Sequence, residues 1–161
     1  MKNLILVRHG KSSWDYNVGD RDRPLLEKGI NDVHLVASKF SNQDIVIERV
    51  FSSPANRALH TCMIFLRTLK FPFSKFQVEN TLYDFSGDGV SSFVKNLPQD
   101  INNVMIFGHN NAFTNLVNTW GDQYIENVTT SGLVHLSFKV DSWSDISKGS
   151  IRQVLFPKQL R

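Results

Sequence analysis

The chain has 161 residues, 41% hydrophobic and 20% charged, which is enough for one ordinary domain with a real core and too few for two independent ones. That composition excludes a disordered or fibrous protein. The formal net charge of +3 comes from scattered Lys and Arg with no basic run or basic helix face, so nucleic acid is not the expected partner, and the alternative is that a few arginines converge on an anionic substrate.

Leu4-Ile5-Leu6-Val7 is a short unbroken apolar run, the pattern of a strand covered on both faces, and it stops abruptly at Arg8-His9-Gly10. Ile30, Val33, Val36, Ala37 and Phe40 then recur at helical spacing, with Pro24 and Gly29 marking the start of the first helix. Val46 to Phe51 reads as a second strand that ends at Ser52-Ser53-Pro54. A helical stripe follows through Ala58, Leu59, Cys62, Phe65, Leu66 and Leu69. The single cysteine, Cys62, has no partner for an internal disulfide and reads as a small core residue of that helix.

Phe71-Pro72-Phe73 is a break, Phe76-Gln77-Val78 a short strand, and Val90, Phe93, Val94 and Leu97 one face of a modest helix. Between strand and helix lies the loop Tyr83 to Gly89. Val104 to Phe107 is another buried strand delivering Gly108-His109-Asn110, followed by a stripe at Phe113, Leu116, Val117 and Trp120. Val134, Leu136, Phe138 and Val140 alternate with polar residues, which places that strand nearer an edge, and Ser150 to Phe156 pairs with it.

Strands alternating with helices predict an α/β fold, a three-layer α/β/α sandwich on a mostly parallel central sheet with an antiparallel edge, as one domain over residues 1–161. Ligands of such sheets gather beyond the strands' carboxyl ends. Arg8-His9, the turn from Ser52 to Arg57, and Gly108-His109 all fall on that rim. Arginine forks at Arg8 and Arg57 match phosphate oxygens. His9 is then the candidate nucleophile and His109 a donor to the same oxygens. His34, His60 and His135 fall off the rim and read as surface residues of helices and a strand.

The histidines and carboxylates lack metal-ligand spacing, and two arginines would repel a cation, so neither metal nor cofactor is expected. A serine-hydrolase reading around Ser52-Ser53 lacks the glycine-flanked elbow. No apolar stretch approaches the roughly 20 residues a bilayer requires, and charge interrupts the first residues too early for a signal peptide, so the expected location is cytoplasmic without a membrane partner. No apolar helix face calls for a partner, and a monomer is expected.

Arg8-His9-Gly10, the block Phe51 to Thr61 with Ser52-Ser53-Pro54, Arg57-Ala58 and Thr61, and Gly108-His109-Asn110 together resemble the histidine phosphatase superfamily, the phosphoglycerate-mutase-like group. Val7 to Asp15, Asp22-Arg23-Pro24-Leu25, Gly29 and Thr130-Ser131-Gly132 resemble its SixA-like phosphohistidine phosphatase branch, and the resemblance spans nearly the whole chain. It implies a phosphoryl intermediate on His9, a pocket of Arg8, Arg57 and His109, and substrate contacts from Ser12 and Asn110. Where relatives commonly have a phosphate-binding asparagine this sequence has Asp15. The helical insertion that carries the relatives' acid is largely missing, which leaves Asp84 as the candidate general acid.

An open site without that insertion favours a phosphohistidine carried on a protein. The alternatives are a small-molecule phosphomonoesterase and a phosphate-binding module without turnover.

Overall fold

The structure is a computed structural model describing Met1–Arg161. Its elements in chain order are β1 (Lys2–Arg8), α1 (Glu27–Phe40), β2 (Arg49–Ser52), α2 (Asn56–Leu69), β3 (Phe76–Val78), α3 (Asp88–Lys95), β4 (Asn103–Gly108), α4 (Ala112–Trp120), β5 (Leu133–Phe138), β6 (Ser150–Leu155) and α5 (Pro157–Leu160). One six-stranded sheet has the order β3-β2-β4-β1-β5-β6. β3, β2, β4 and β1 pair in parallel, while β5 runs antiparallel to both β1 and β6.

The unbroken apolar runs become the central strands because both their faces are covered. Leu4 and Leu6 of β1, with Val104 and Ile106 of β4, pack on Val90 and Val94 of α3 and Phe113 and Val117 of α4. Ile5, Val7, Met105 and Phe107 point to the opposite face and meet Val33 and Val36 of α1 and Cys62 and Phe65 of α2. The pleat thus feeds two cores on either side of the sheet, which makes three layers. Each fully buried side chain of this size contributes about 1.5–3 kcal/mol. No helix is long and apolar enough to cross a membrane.

One element reading changes. β2 begins at Arg49 rather than Val46, because its neighbour β4 begins at Asn103 and the register pairs Arg49 with Val104. Val46 has no strand beside it and is 74% exposed. β5 alternates as expected, with Val134, Leu136 and Phe138 in one core, and it lies near the edge as expected, second from it, with β6 paired to it as the outer strand.

The register aligns the rim. Arg8 stands opposite Gly108, and Ser52 opposite Phe107, so β1, β4 and β2 end level with one another. Backbone bonds continue one step beyond, from His9 N–H to the Gly108 carbonyl at 3.1 Å and from Ser53 N–H to the Phe107 carbonyl at 3.0 Å. The residues after these three strand ends are therefore neighbours.

Candidate active site

His9 leaves β1 buried, with 8% of its surface exposed. Its Nδ1 donates to the Gly10 carbonyl at 2.7 Å, which puts the ring proton on Nδ1 and leaves Nε2 with a free lone pair. Arg57 Nε points at that lone pair from 3.4 Å. Burial first, and then the charges of Arg57, Arg8 and Arg23, push His9 down to about 3, against the opposing pull of the Gly10 hydrogen bond. At neutral pH the imidazole is uncharged and its Nε2 carries the ring's lone pair.

The loop after His9 is tied to α2, since Thr61 Oγ1 accepts from Gly10 N–H at 2.9 Å and donates to the Arg57 carbonyl at 2.8 Å. Arg57 lies in the first turn of α2, where the helix N-terminus adds positive potential toward the rim. Arg8 donates from Nη1 to the Val128 carbonyl at 2.8 Å. Its Nε is buried and has no partner. Burial and the neighbouring Arg57 both lower the Arg8 pKa.

His109 has no exposed surface. The Tyr83 and Phe85 rings cover it at 5.3 and 4.9 Å between centroids, and the His9 ring is 5.2 Å away. Burial, then the nearby His9 and Arg57, push His109 down to about 3; like His9, it is neutral. Its Nε2 is 2.8 Å from Ser53 Oγ, which already accepts from Ala55 N–H at 3.2 Å. Arg57 Nη2, which can only donate, reaches Nδ1 at 3.5 Å, so Nδ1 accepts and the ring proton sits on Nε2, donating to the second lone pair of the Ser53 hydroxyl.

Two side chains that the sequence reading did not assign complete the pocket. Arg23 is buried, donates to the Ser13 carbonyl at 3.1 Å and to Ser12 Oγ, and stacks on the Trp14 ring. Asp20 accepts from Arg57 Nη2 at 3.0 Å, from Arg23 Nη1 at 3.2 Å and from the Tyr83 hydroxyl, while its backbone carbonyl accepts from Arg57 Nη1 at 2.6 Å. These bonds to Tyr83, Arg57 and Arg23 hold Asp20 down at about 2 against the opposing effect of partial burial. Arg23 stood in a recognisable sequence block; Asp20 had no signal, because only the folded loop carries it to Arg57.

Arg8, His9, Ser12, Asp20, Arg23 and Arg57 all line one crevice of about 560 Å³. Asp15 lines it too. Ser12 reaches it with its hydroxyl engaged by Arg23. The structure does not bring Asp84 into this crevice. Its carboxylate accepts from the backbone N–H groups of Ser86, Gly87 and Val90 at 3.1, 3.0 and 3.0 Å, which ties it to the start of α3 and lowers its pKa despite the burial that opposes this. Asn110 is also engaged elsewhere. Its Oδ1 accepts from Thr114 N–H and Oγ1 at 2.9 and 2.8 Å, and its Nδ2 donates to Asn127. His34 is exposed, and His60 and His135 are half-buried away from the crevice.

Fold and site together define an α/β protein whose rim crevice is lined by Arg8, Arg23, Arg57 and a neutral His9, with a second neutral histidine, His109, buried beside it. Residues 4–86 match the model of the histidine phosphatase superfamily, branch 1, and the chain belongs to that superfamily. A 2,3-bisphosphoglycerate-dependent phosphoglycerate mutase of Methylorubrum extorquens is 33% identical over 69 residues, 41% of this chain and 32% of the relative. The matched region thus spans about a third of that curated relative's length. The solved structure of the protein histidine phosphatase SixA complexed with tungstate superposes with a TM-score of 0.82 at 25% identity, covering 99% of each chain. A SixA described as a phosphohistidine phosphatase, from Agrobacterium tumefaciens, gives 0.81 at 20% identity over 96% of this chain and 97% of that one. Within the superfamily the chain is SixA-like.

Proposed function

We propose that this chain, acting as one catalytic domain over residues 1–161, is a metal-independent phosphatase that transfers a phosphoryl group to His9 and then to water. The observation that carries this reading is His9 itself, a neutral ring whose Nδ1–H is fixed on the Gly10 carbonyl and whose Nε2 faces Arg57. A phosphoryl group arriving at Nε2 meets the guanidinium groups of Arg57 and Arg8, which line the same crevice, and the neutral His109 ring lies 5.2 Å from that of His9, beside the transfer. The positive wall of Arg8, Arg23 and Arg57 supplies the electrostatic stabilisation that a metal provides in other phosphatases.

The substrate we assign is phosphohistidine on a protein. The likeness to the SixA structure over 99% of both chains supports it, as does an open crevice with no helical insertion over it. Neither Asp84, tied to α3, nor Asp20, ionised, serves to protonate an alkoxide. A leaving imidazole does not need such an acid. The test is phosphate release by purified protein from a phosphohistidine peptide, set beside sugar and nucleotide phosphates. Faster release from phosphohistidine is expected. Release from the esters alone would replace this reading with a small-molecule phosphomonoesterase.

A further inference from the structure

Asp20 is a member of the pocket that chemistry at phosphorus does not call for. A carboxylate beside an arriving phosphate dianion is repulsive, yet this one is built in, with Arg57, Arg23 and Tyr83 all donating to it. It also stands further out than the arginine it holds. The Asp20 side chain is 43% exposed and that of Arg57 3%, so Asp20 lies on the mouth side of the guanidinium.

In-line attack by His9 Nε2 requires the leaving atom on the side of phosphorus opposite His9, which is toward that mouth. As the phosphoryl oxygens take over the fork of Arg57, Asp20 keeps Arg23 and Tyr83 and gains a free lone pair beside the leaving group. For a phosphoester this is unfavourable, because negative charge develops on the departing oxygen next to a carboxylate. A phosphohistidine protonated on its distal nitrogen is the opposite case, with a cationic ring and an N–H to donate. The exposed rings of Trp14 and Phe85, which line the same crevice, offer faces to such a cation.

Building on the phosphohistidine reading, we propose that Asp20 is the specificity-determining residue of the site, accepting a hydrogen bond from the distal ring N–H of the substrate's phosphorylated imidazole. In the first step the P–N bond to the donor breaks with its electron pair remaining on that nitrogen, and a P–N bond forms to His9 Nε2. The donor ring, cationic while phosphorylated, leaves as neutral imidazole with its distal proton unmoved, and the His9 ring takes the positive charge. Water then attacks phosphorus, the bond to Nε2 breaks, His9 returns to neutral, and both water protons leave on dihydrogen phosphate. Neither step draws a proton from an enzyme acid.

The experiment compares kcat/KM for phosphoimidazole and for p-nitrophenyl phosphate in the full chain and in Asp20→Asn. Removing the charge is expected to lower the phosphoimidazole value and raise the phosphoester value, shifting their ratio by about 30-fold or more. In the unaltered protein, a phosphoimidazole methylated on the distal nitrogen should react at least about tenfold more slowly than the parent, a comparison that does not depend on the variant folding. Equal losses on both donors, or no preference for the parent over the methylated compound, would overturn the assignment of Asp20 alone. An unaltered protein that hydrolyses only the phosphoester would overturn this assignment and the phosphohistidine reading together.

Discussion

Asp84 shows how a plausible residue type is used differently once its neighbours are fixed. Its two oxygens accept four hydrogen bonds, from the N–H groups of Ser86, Gly87 and Val90 and from the Ser86 hydroxyl. That carboxylate is a cap for α3 and has little freedom to serve a leaving group. Asp84→Ala should therefore lower stability by about 1–2 kcal/mol while phosphoryl uptake on His9 persists. Denaturant unfolding and a single-turnover assay check the two halves. Loss of uptake in a folded variant would return Asp84 to the chemistry. Ser53 illustrates the converse, since a hydroxyl weighed as a hydrolase nucleophile instead accepts from Ala55 N–H and from the His109 ring.

At the scale of elements, the site depends on α1 lying close beneath the loop after β1. Gly29 sits in the first turn of α1, and a Cβ there would stand 2.3 Å from the Lys11 carbonyl oxygen and 2.8 Å from the Lys11 nitrogen. The loop is also held by Leu26 N–H on the Lys11 carbonyl and Ser13 N–H on the Pro24 carbonyl, both at 2.8 Å. Gly29→Ala must push backbone away from backbone, and the expected cost is about 1–3 kcal/mol with a raised KM, because Ser12, Ser13 and Arg23 move with the loop. Thermal unfolding and steady-state kinetics measure both.

Gly29 was readable from sequence as the mark of a helix start, but its closeness to Lys11 was not. The buried strands, the helical stripes and the rim positions of Arg8, His9, Arg57 and His109 were legible because apolar period and strand ends are local signals. Asp20 was not, since its partners Arg57 and Tyr83 are 37 and 63 residues away. The true start of β2 was equally hidden, because it depends on where β4 begins.

Across the whole molecule, two cores press on one sheet and keep two histidines neutral at its rim. Both are depressed to about 3, from an ordinary value of 6.5. Between those values the unfolded chain binds protons that the folded chain refuses, so the stabilising contribution is complete above about pH 6.5 and is lost as pH falls toward 3. Denaturant midpoints should decline from pH 7.5 to pH 5, and His109→Asn should flatten the decline. A midpoint independent of pH in the unaltered protein would contradict the neutral, buried pair.

The same neutrality underlies the claim that His9 is the phosphoryl carrier, and rapid quenching after mixing with a labelled phosphohistidine peptide tests it most directly. The expected result is label on the chain that survives alkali, is released by acid, maps to His9 and vanishes in His9→Ala. Label that persists in folded His9→Ala, or phosphate release with no labelled chain at any quench time, would contradict it.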